Sequence, residues 1–414
     1  MSTTIHISNE NEDSSNYNKL SFVNGFSSFI ENQSGQHMKK IIHSIKVGIA
    51  LLLVSLLYLL DPLFEQVGEN AMWAIMTVVV VFEFFAGATL SKGLLRVFGT
   101  ILGGGLGCLA AILADDVGKI GNAAVVGSSV FIFGAAATYC RSIPSIKSKY
   151  DYGFMIFILT FNLVAVSGLR ADKVIEVARE RLSTIGMGFA VCIFTSLLVF
   201  PMWASDELHR LTSSKFDKLA SCIEDCMKAY FNVVGENESM PRINVKDCKA
   251  VLHSKSSDES LANFARWEPW HGRFGFYYPW EKYLQIGELT RELASIILSI
   301  QECLESSLHP STPLQQAIEE PCKSAGLSLG LTMRELGRSI MSMKRCQAMV
   351  QTMPKLQSIK QELILLSTST NLIANVESLA IANFLFLLMK IVDKVEVLAK
   401  EVEALGEAAG FQSK

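Results

Sequence analysis

The sequence predicts an all-α membrane protein with six transmembrane helices, in two inverted three-helix repeats, followed by a C-terminal cytosolic helical bundle. Three observations carry that prediction. Half of the 414 residues are apolar and 19% are charged, whereas a soluble domain carries about 25% charged residues. The apolar residues concentrate before about Trp203, in runs close to the roughly 20 residues that a span needs. Beyond Trp203 the pattern changes to the spacing of amphipathic helices. The formal net charge of −3 gives no footprint for nucleic acid.

The elements follow in order. Residues 1–37 are polar at the start and lack the apolar core of a secretory signal, so they read as a flexible cytosolic N-terminus. A pore domain over 38–203 holds apolar runs at 45–60, 71–89, 97–114, 122–139, 152–168 and 182–202. Lys39, Lys40 and Lys46 precede or open the first run, Lys92 and Arg96 separate the second and third, and Arg141, Lys147 and Lys149 separate the fourth and fifth. The opposite connections are poor in basic residues, so both termini read as cytosolic. The connection 168–181 departs from the rule, with Arg170, Lys173, Arg179 and Arg181 beside Asp172, Glu176 and Glu180. Such charges either pair with one another or face a pore.

A weak internal repeat sets Met76, Phe82 and Arg96 against Met155, Phe161 and Arg181, each Arg opening a glycine-containing span. Three spans per unit invert the second copy, and inverted repeats place a substrate site near the midplane. Arg96 and Arg181 are therefore the leading candidates. A charge within the bilayer costs about 2.5–3.5 kcal/mol on insertion scales and is a functional hypothesis by default. The plainer alternative is that both snorkel to the headgroups. Lys46 and Lys92 are weaker pore candidates, since lysines at cytosolic ends are common anchors. Glu83 interrupts a very apolar stretch, about 18 Å along a helix from Ala71. It reads as the partner of Lys92, Arg96 or a first-span lysine, or as a proton-coupling carboxylate.

Gly99, Gly103, Gly104, Gly105 and Gly107 lack the Lys-Ser/Thr of a phosphate loop, and Gly103 and Gly107 form a G-x-x-x-G suited to close helix packing. Glu65, Asp172 and Glu176 fall on the outer face as candidate ligands for a hard cation. Salt bridges to Lys173, Arg179 or Arg181 explain them equally. The nine cysteines form no C-x-x-C pair and read as reduced packing thiols.

Residues 204–414 read as the cytosolic bundle. Leu208, Leu211, Phe216, Leu219, Ile223 and Met227 form one apolar helix face. Similar spacing recurs over 281–307, 314–351 and 356–405, with Pro241, Pro269, Pro310, Pro313, Pro321 and Pro354 around the breaks. No triad, zinc spacing or acid pair stands out, so no enzyme is expected. The stretch from Trp267 to Trp280 reads first as an aromatic structural turn, with Glu268 able to pair with Arg273, and second as a ligand site.

Several of these stretches carry a family likeness: the run 70–84 from Asn70-Ala-Met-Trp to Phe-Glu-Phe84, Gly87-Ala-Thr-Leu-Ser-Lys-Gly93, Tyr150-Asp-Tyr-Gly153, Arg181-Leu-Ser-Thr-Ile185, Pro201-Met-Trp-Ala204 and the Trp-Glu-Pro-x-His-Gly-Arg-Phe from Trp267. The chain resembles the plant aluminium-activated malate transporters over nearly its whole length from about Met38. The resemblance implies a homodimeric anion channel in membrane lipid, six spans per subunit, passing malate and other organic or inorganic anions. It implies Arg96 and Arg181 as basic pore positions. It also implies Glu65, Asp172 and Glu176 as an external site for a regulatory Al3+, with no resident cofactor. Ala171 and Lys173 stand where acidic residues are frequent, which weakens that site's field. Phe216 falls where a GABA-response motif is proposed. The length of the C-terminal half suits a plasma-membrane member better than a vacuolar one. The fold also resembles bacterial exporters of aromatic acids, so a proton-coupled carboxylic acid exporter using Glu83 stays open. A third reading is a membrane anchor whose bundle recruits partners.

Overall fold

The computed structural model describes residues 37–57, 59, 71–115, 119–167, 174–231, 245–275, 277–306, 313–345, 348–369 and 376–412. The chain is nearly all helical over these residues and divides into two compact units between Met202 and Trp203.

The first unit contains α1 (His37–Leu57), α2 (Ala71–Val81), α3 (Ala86–Asp115), α4 (Lys119–Ser142), α5 (Pro144–Ser167) and α6 (Val174–Leu198). Five of them, α1 and α3 to α6, are long and apolar enough to cross a membrane. Large apolar side chains point outward from this unit, Phe131 at 76% and Leu198 at 65% exposure among them. An apolar exterior of that kind fits a lipid environment and not water.

The second run departs from the sequence expectation. The stretch 71–89 is not one span: α2 stops at Val81 and α3 starts at Ala86. The 11 residues of α2 rise only about 16 Å, roughly half of a hydrocarbon core. The break survives because protein groups replace the missing ladder bonds. Glu83 N–H donates to the Thr89 hydroxyl at 2.9 Å, and Ala86 N–H donates to the Met202 carbonyl at 2.9 Å. Glu83 consequently lies in the break and not along a helix, and Lys92 and Arg96 ride on α3 and not on a polar linker.

Helix α3 packs along α5 through its glycines. A Cβ at Gly99 would lie 2.7 Å from the Gly153 carbonyl oxygen, and one at Gly103 would lie 2.7 Å from that of Phe157. The two backbones approach as closely as the missing side chains permit. This brings the stripe Lys92, Arg96 and Thr100 of α3 beside Tyr152, Ile156 and Thr160 of α5, each set spaced i, i+4, i+8.

The second unit contains α7 (Ala204–Phe231), α8 (Val245–Leu252), α9 (Lys255–Ala265), α10 (Trp280–Ser306), α11 (Pro313–Ser342), α12 (Ala348–Ser369) and α13 (Val376–Ala408). Leu208, Phe216, Leu219 and Ile223 of α7 are buried, as their spacing requires. Tyr230 of α7 stacks on Phe384 of α13 with ring centroids 3.7 Å apart. Two details differ from the sequence reading. The apolar run 356–405 is two helices, and Pro321 and Pro354 sit inside α11 and α12 and not at breaks. Cys108, Cys140, Cys192, Cys222, Cys226, Cys248 and Cys322 are free thiols, and burial pushes the Cys226 thiol up to about 12.

Candidate functional site

The strongest arrangement in the first unit is a pocket lined by Trp73 of α2, Arg96 and Thr100 of α3, Ile156, Leu159 and Thr160 of α5, and Arg181 and Ile185 of α6. The two arginines, 85 positions apart by number (181 − 96), therefore meet at one cavity. Arg96 is 5% exposed and donates from Nη1 to the Tyr152 hydroxyl at 3.1 Å. The Arg181 guanidinium lies over the Trp73 ring, 4.1 Å from its centroid, a cation–π arrangement that holds the charge without neutralising it.

Neither arginine is ion-paired among the described residues. The Nε of each, together with the Thr100 hydroxyl, is buried without a hydrogen-bond partner. A guanidinium has five fixed donors and retains its charge. Two such groups with unspent N–H donors, beside a free hydroxyl and apolar walls, have the chemistry to receive an anion with several acceptor oxygens. The apolar walls lower the local dielectric and strengthen that attraction. The cavity measures about 20 Å³.

The other predicted pore residues lie elsewhere. Lys46 is fully buried, and its ammonium donates to the carbonyls of Ser196 and Phe200 at 3.3 and 3.5 Å. It closes the C-terminal end of α6, where unpaired carbonyls and the helix dipole favour a cation. Phe200, at φ 45°, is one of two non-glycine residues in the left-handed region among the described residues, and Lys46 holds its carbonyl. Glu83 and Lys92 form an ion pair across the α2–α3 break, and the Lys92 ammonium also sits 5.9 Å over the Tyr152 ring. Lys92 is thus one turn from Arg96 but does not line the pocket.

Of the candidate cation ligands, Glu65 and Asp172 lie outside the described residues. Glu176 belongs to α6, but its side chain lies outside them also.

In the second unit the aromatic turn has a clear structural task. Glu268 does not pair with Arg273. Its carboxylate accepts the Ala204 and Ser205 N–H groups at 2.6 and 3.2 Å and so caps the start of α7 from a distant loop. Burial pushes its carboxyl upward, and the bonds from Ser205 and Ala204 oppose that. Trp203 stacks on His271 at 3.7 Å.

Sequence reasoning missed Trp73, Thr100, Thr160 and Tyr152 as parts of the site. All four are neutral residues inside apolar or mixed runs, so no charge marks them. Trp73 and Tyr152 do fall within the stretches that carry the family likeness.

Comparison with known proteins gives a consistent result. A sequence model described as "Aluminium activated malate transporter" matches residues 33–383. The chain is 43% identical over 312 residues to aluminum-activated malate transporter 14 of Arabidopsis thaliana, a match covering 74% of this chain and 58% of that protein. It is 38% identical over 382 residues to aluminum-activated malate transporter 2 of the same plant, covering 91% and 76%. With aluminum-activated malate transporter 1 of Triticum aestivum the identity is 37% over 405 residues, covering 94% and 86%.

Proposed function

The chain belongs to the aluminium-activated malate transporter family, and from that premise we propose that it is a channel passing malate and other organic or inorganic anions. The single observation that carries the reading is the meeting of Arg96 and Arg181 at one pocket, each with an unspent Nε donor. Malate is a dianion whose carboxylates accept several hydrogen bonds, and two guanidinium groups match that charge and that geometry. Passive flow needs no energy-coupling motif.

The cavity of about 20 Å³ holds roughly one water. A four-carbon dicarboxylate is several times larger, so conduction requires the pocket to widen. The short α2, which carries Trp73 and ends in a break, is the element best suited to move. The attraction must also stay weak enough to release the ion, and the Trp73 ring, which occupies one face of the Arg181 guanidinium, tempers it.

In this proposal the protein is a multi-pass plasma-membrane homodimer with both termini cytosolic. The broken α2 completes a sixth crossing, and the two three-helix units are inverted repeats. Glu83 is structural: its ion pair with Lys92 supports a carboxylate that pins the break and not one that carries protons.

Glu65, Asp172 and Glu176 form the external aluminium site, since hard carboxylate oxygens suit a hard trication. We expect whole-cell malate current to grow when aluminium is added at acidic external pH. Asp172→Asn reduces that growth and leaves the basal current. An undiminished aluminium response in Asp172→Asn removes the site from the account, and an absence of malate current removes the channel.

A further inference from the structure

We propose that Thr100 is a specificity-determining residue of the anion path, the hydroxyl donor that favours a carboxylate over a halide. The inference rests on reading the Arg96–Arg181 pocket as the permeation site. Thr100 lies one turn beyond Arg96 on the same face of α3, is 4% exposed and lines the pocket. Its Oγ1 is buried with no hydrogen-bond partner.

That state is unusual for a helical threonine. Thr77, Thr138 and Thr332 each donate back to the carbonyl four residues earlier, at 2.7, 2.8 and 2.8 Å. Thr100 does not reach the Arg96 carbonyl in this way. Thr195 also lacks a partner, but it does not line the pocket. A buried hydroxyl without a partner costs stability. Valine has nearly the same shape and would avoid that cost, so packing alone gives the hydroxyl no purpose.

Geometry supplies one. Residues four apart on a helix are separated by about 6 Å along its axis. A carboxylate offers two oxygens with about four lone-pair sites, so it can take the Arg96 Nε–H on one side and the Thr100 O–H on the other. A halide is a single acceptor that serves both groups only where they converge on one point, whereas the two oxygens of a carboxylate serve donors that diverge. A site with a hydrogen-bonding group left unpaired by the wrong ligand discriminates strongly against that ligand.

The test measures the malate-to-chloride permeability ratio from reversal potentials of the full chain under bi-ionic conditions, together with the melting temperature of the purified protein. Thr100→Val and Thr100→Ala, which both remove the hydroxyl, are expected to lower the ratio by about tenfold. Thr100→Ser, which keeps it, stays near the unaltered protein. Thr100→Val melts no lower than the unaltered protein, because the hydroxyl it removes has no partner to lose. The proposal is overturned if both hydroxyl-free variants keep the ratio while Arg96→Ala changes it. If Arg96→Ala also leaves the ratio unchanged, the pocket itself is not the permeation site, and the assignment of Thr100 falls with it.

Discussion

Arg96→Ala and Arg181→Ala each reduce malate current by about ten- to a hundredfold at equal surface abundance, the loss of one charge-assisted set of hydrogen bonds. Both guanidinium groups line the same pocket and have no carboxylate partner among the described residues. Removing either one therefore lowers the positive potential of the path without stranding an opposite charge, and folding is spared. Arg96→Lys keeps the charge but loses the planar fork, so it cannot hold the Tyr152 hydroxyl and also present two parallel donors to a carboxylate. It should retain chloride current better than malate current. Reversal to glutamate at either position cancels the charge of the remaining arginine and lowers the preference for anions. Surface labelling alongside the current recording separates lost conduction from lost delivery.

Asp258→Ala is expected to destabilise the second unit by about 3–5 kcal/mol, because it strands the buried Lys215 ammonium and takes one of two carboxylates from Arg291. Asp258 Oδ2 accepts from Lys215 Nζ at 2.5 Å, from Arg291 Nη1 at 3.0 Å and from Ser254 Oγ at 3.1 Å. The side chains of Lys215, Arg291 and Asp258 are 7%, 10% and 4% exposed. Burial lowers the Lys215 ammonium from its ordinary value, and Asp258 opposes that shift. Without Asp258 only the pairing of Arg291 with Glu288 remains, and Lys215 must lose its proton or drag water inward. A folded unit is stable by about 5–15 kcal/mol in all, so the melting temperature of the purified chain should fall sharply. The double variant Asp258→Leu with Lys215→Met should recover part of the loss, since apolar replacement of a buried pair is often neutral.

Composition and periodicity revealed the helical class because hydropathy and helix period are local properties. The apolar face of α7 is the clearest case. They did not reveal the break at residues 82–85. Hydropathy averages over a window and sees Phe82, Phe84 and Phe85 as one greasy run, whereas the break depends on acceptors at Thr89 and Met202. The arginines were legible because a charge in an apolar context is costly and therefore conspicuous. Thr100 and Trp73 were not, because a neutral side chain in an apolar run gives no signal until its neighbours are known. Lys46 was conspicuous for the same reason as the arginines, yet its partners are backbone carbonyls 150 and 154 residues away, which no side-chain pattern encodes. The Lys215–Asp258–Arg291 cluster joins residues 43 and 33 positions apart and was likewise invisible before the helices were packed.

The central claim is that anions flow passively through the Arg96–Arg181 pocket, and the most direct test is the reversal potential in excised patches under a malate gradient, repeated with a proton gradient. The account predicts a reversal potential that follows the malate gradient, does not move with the proton gradient, and loses its malate dependence in Arg181→Ala. A reversal potential that tracks the proton gradient and abolition of transport by Glu83→Gln would contradict it and establish a proton-coupled exporter instead.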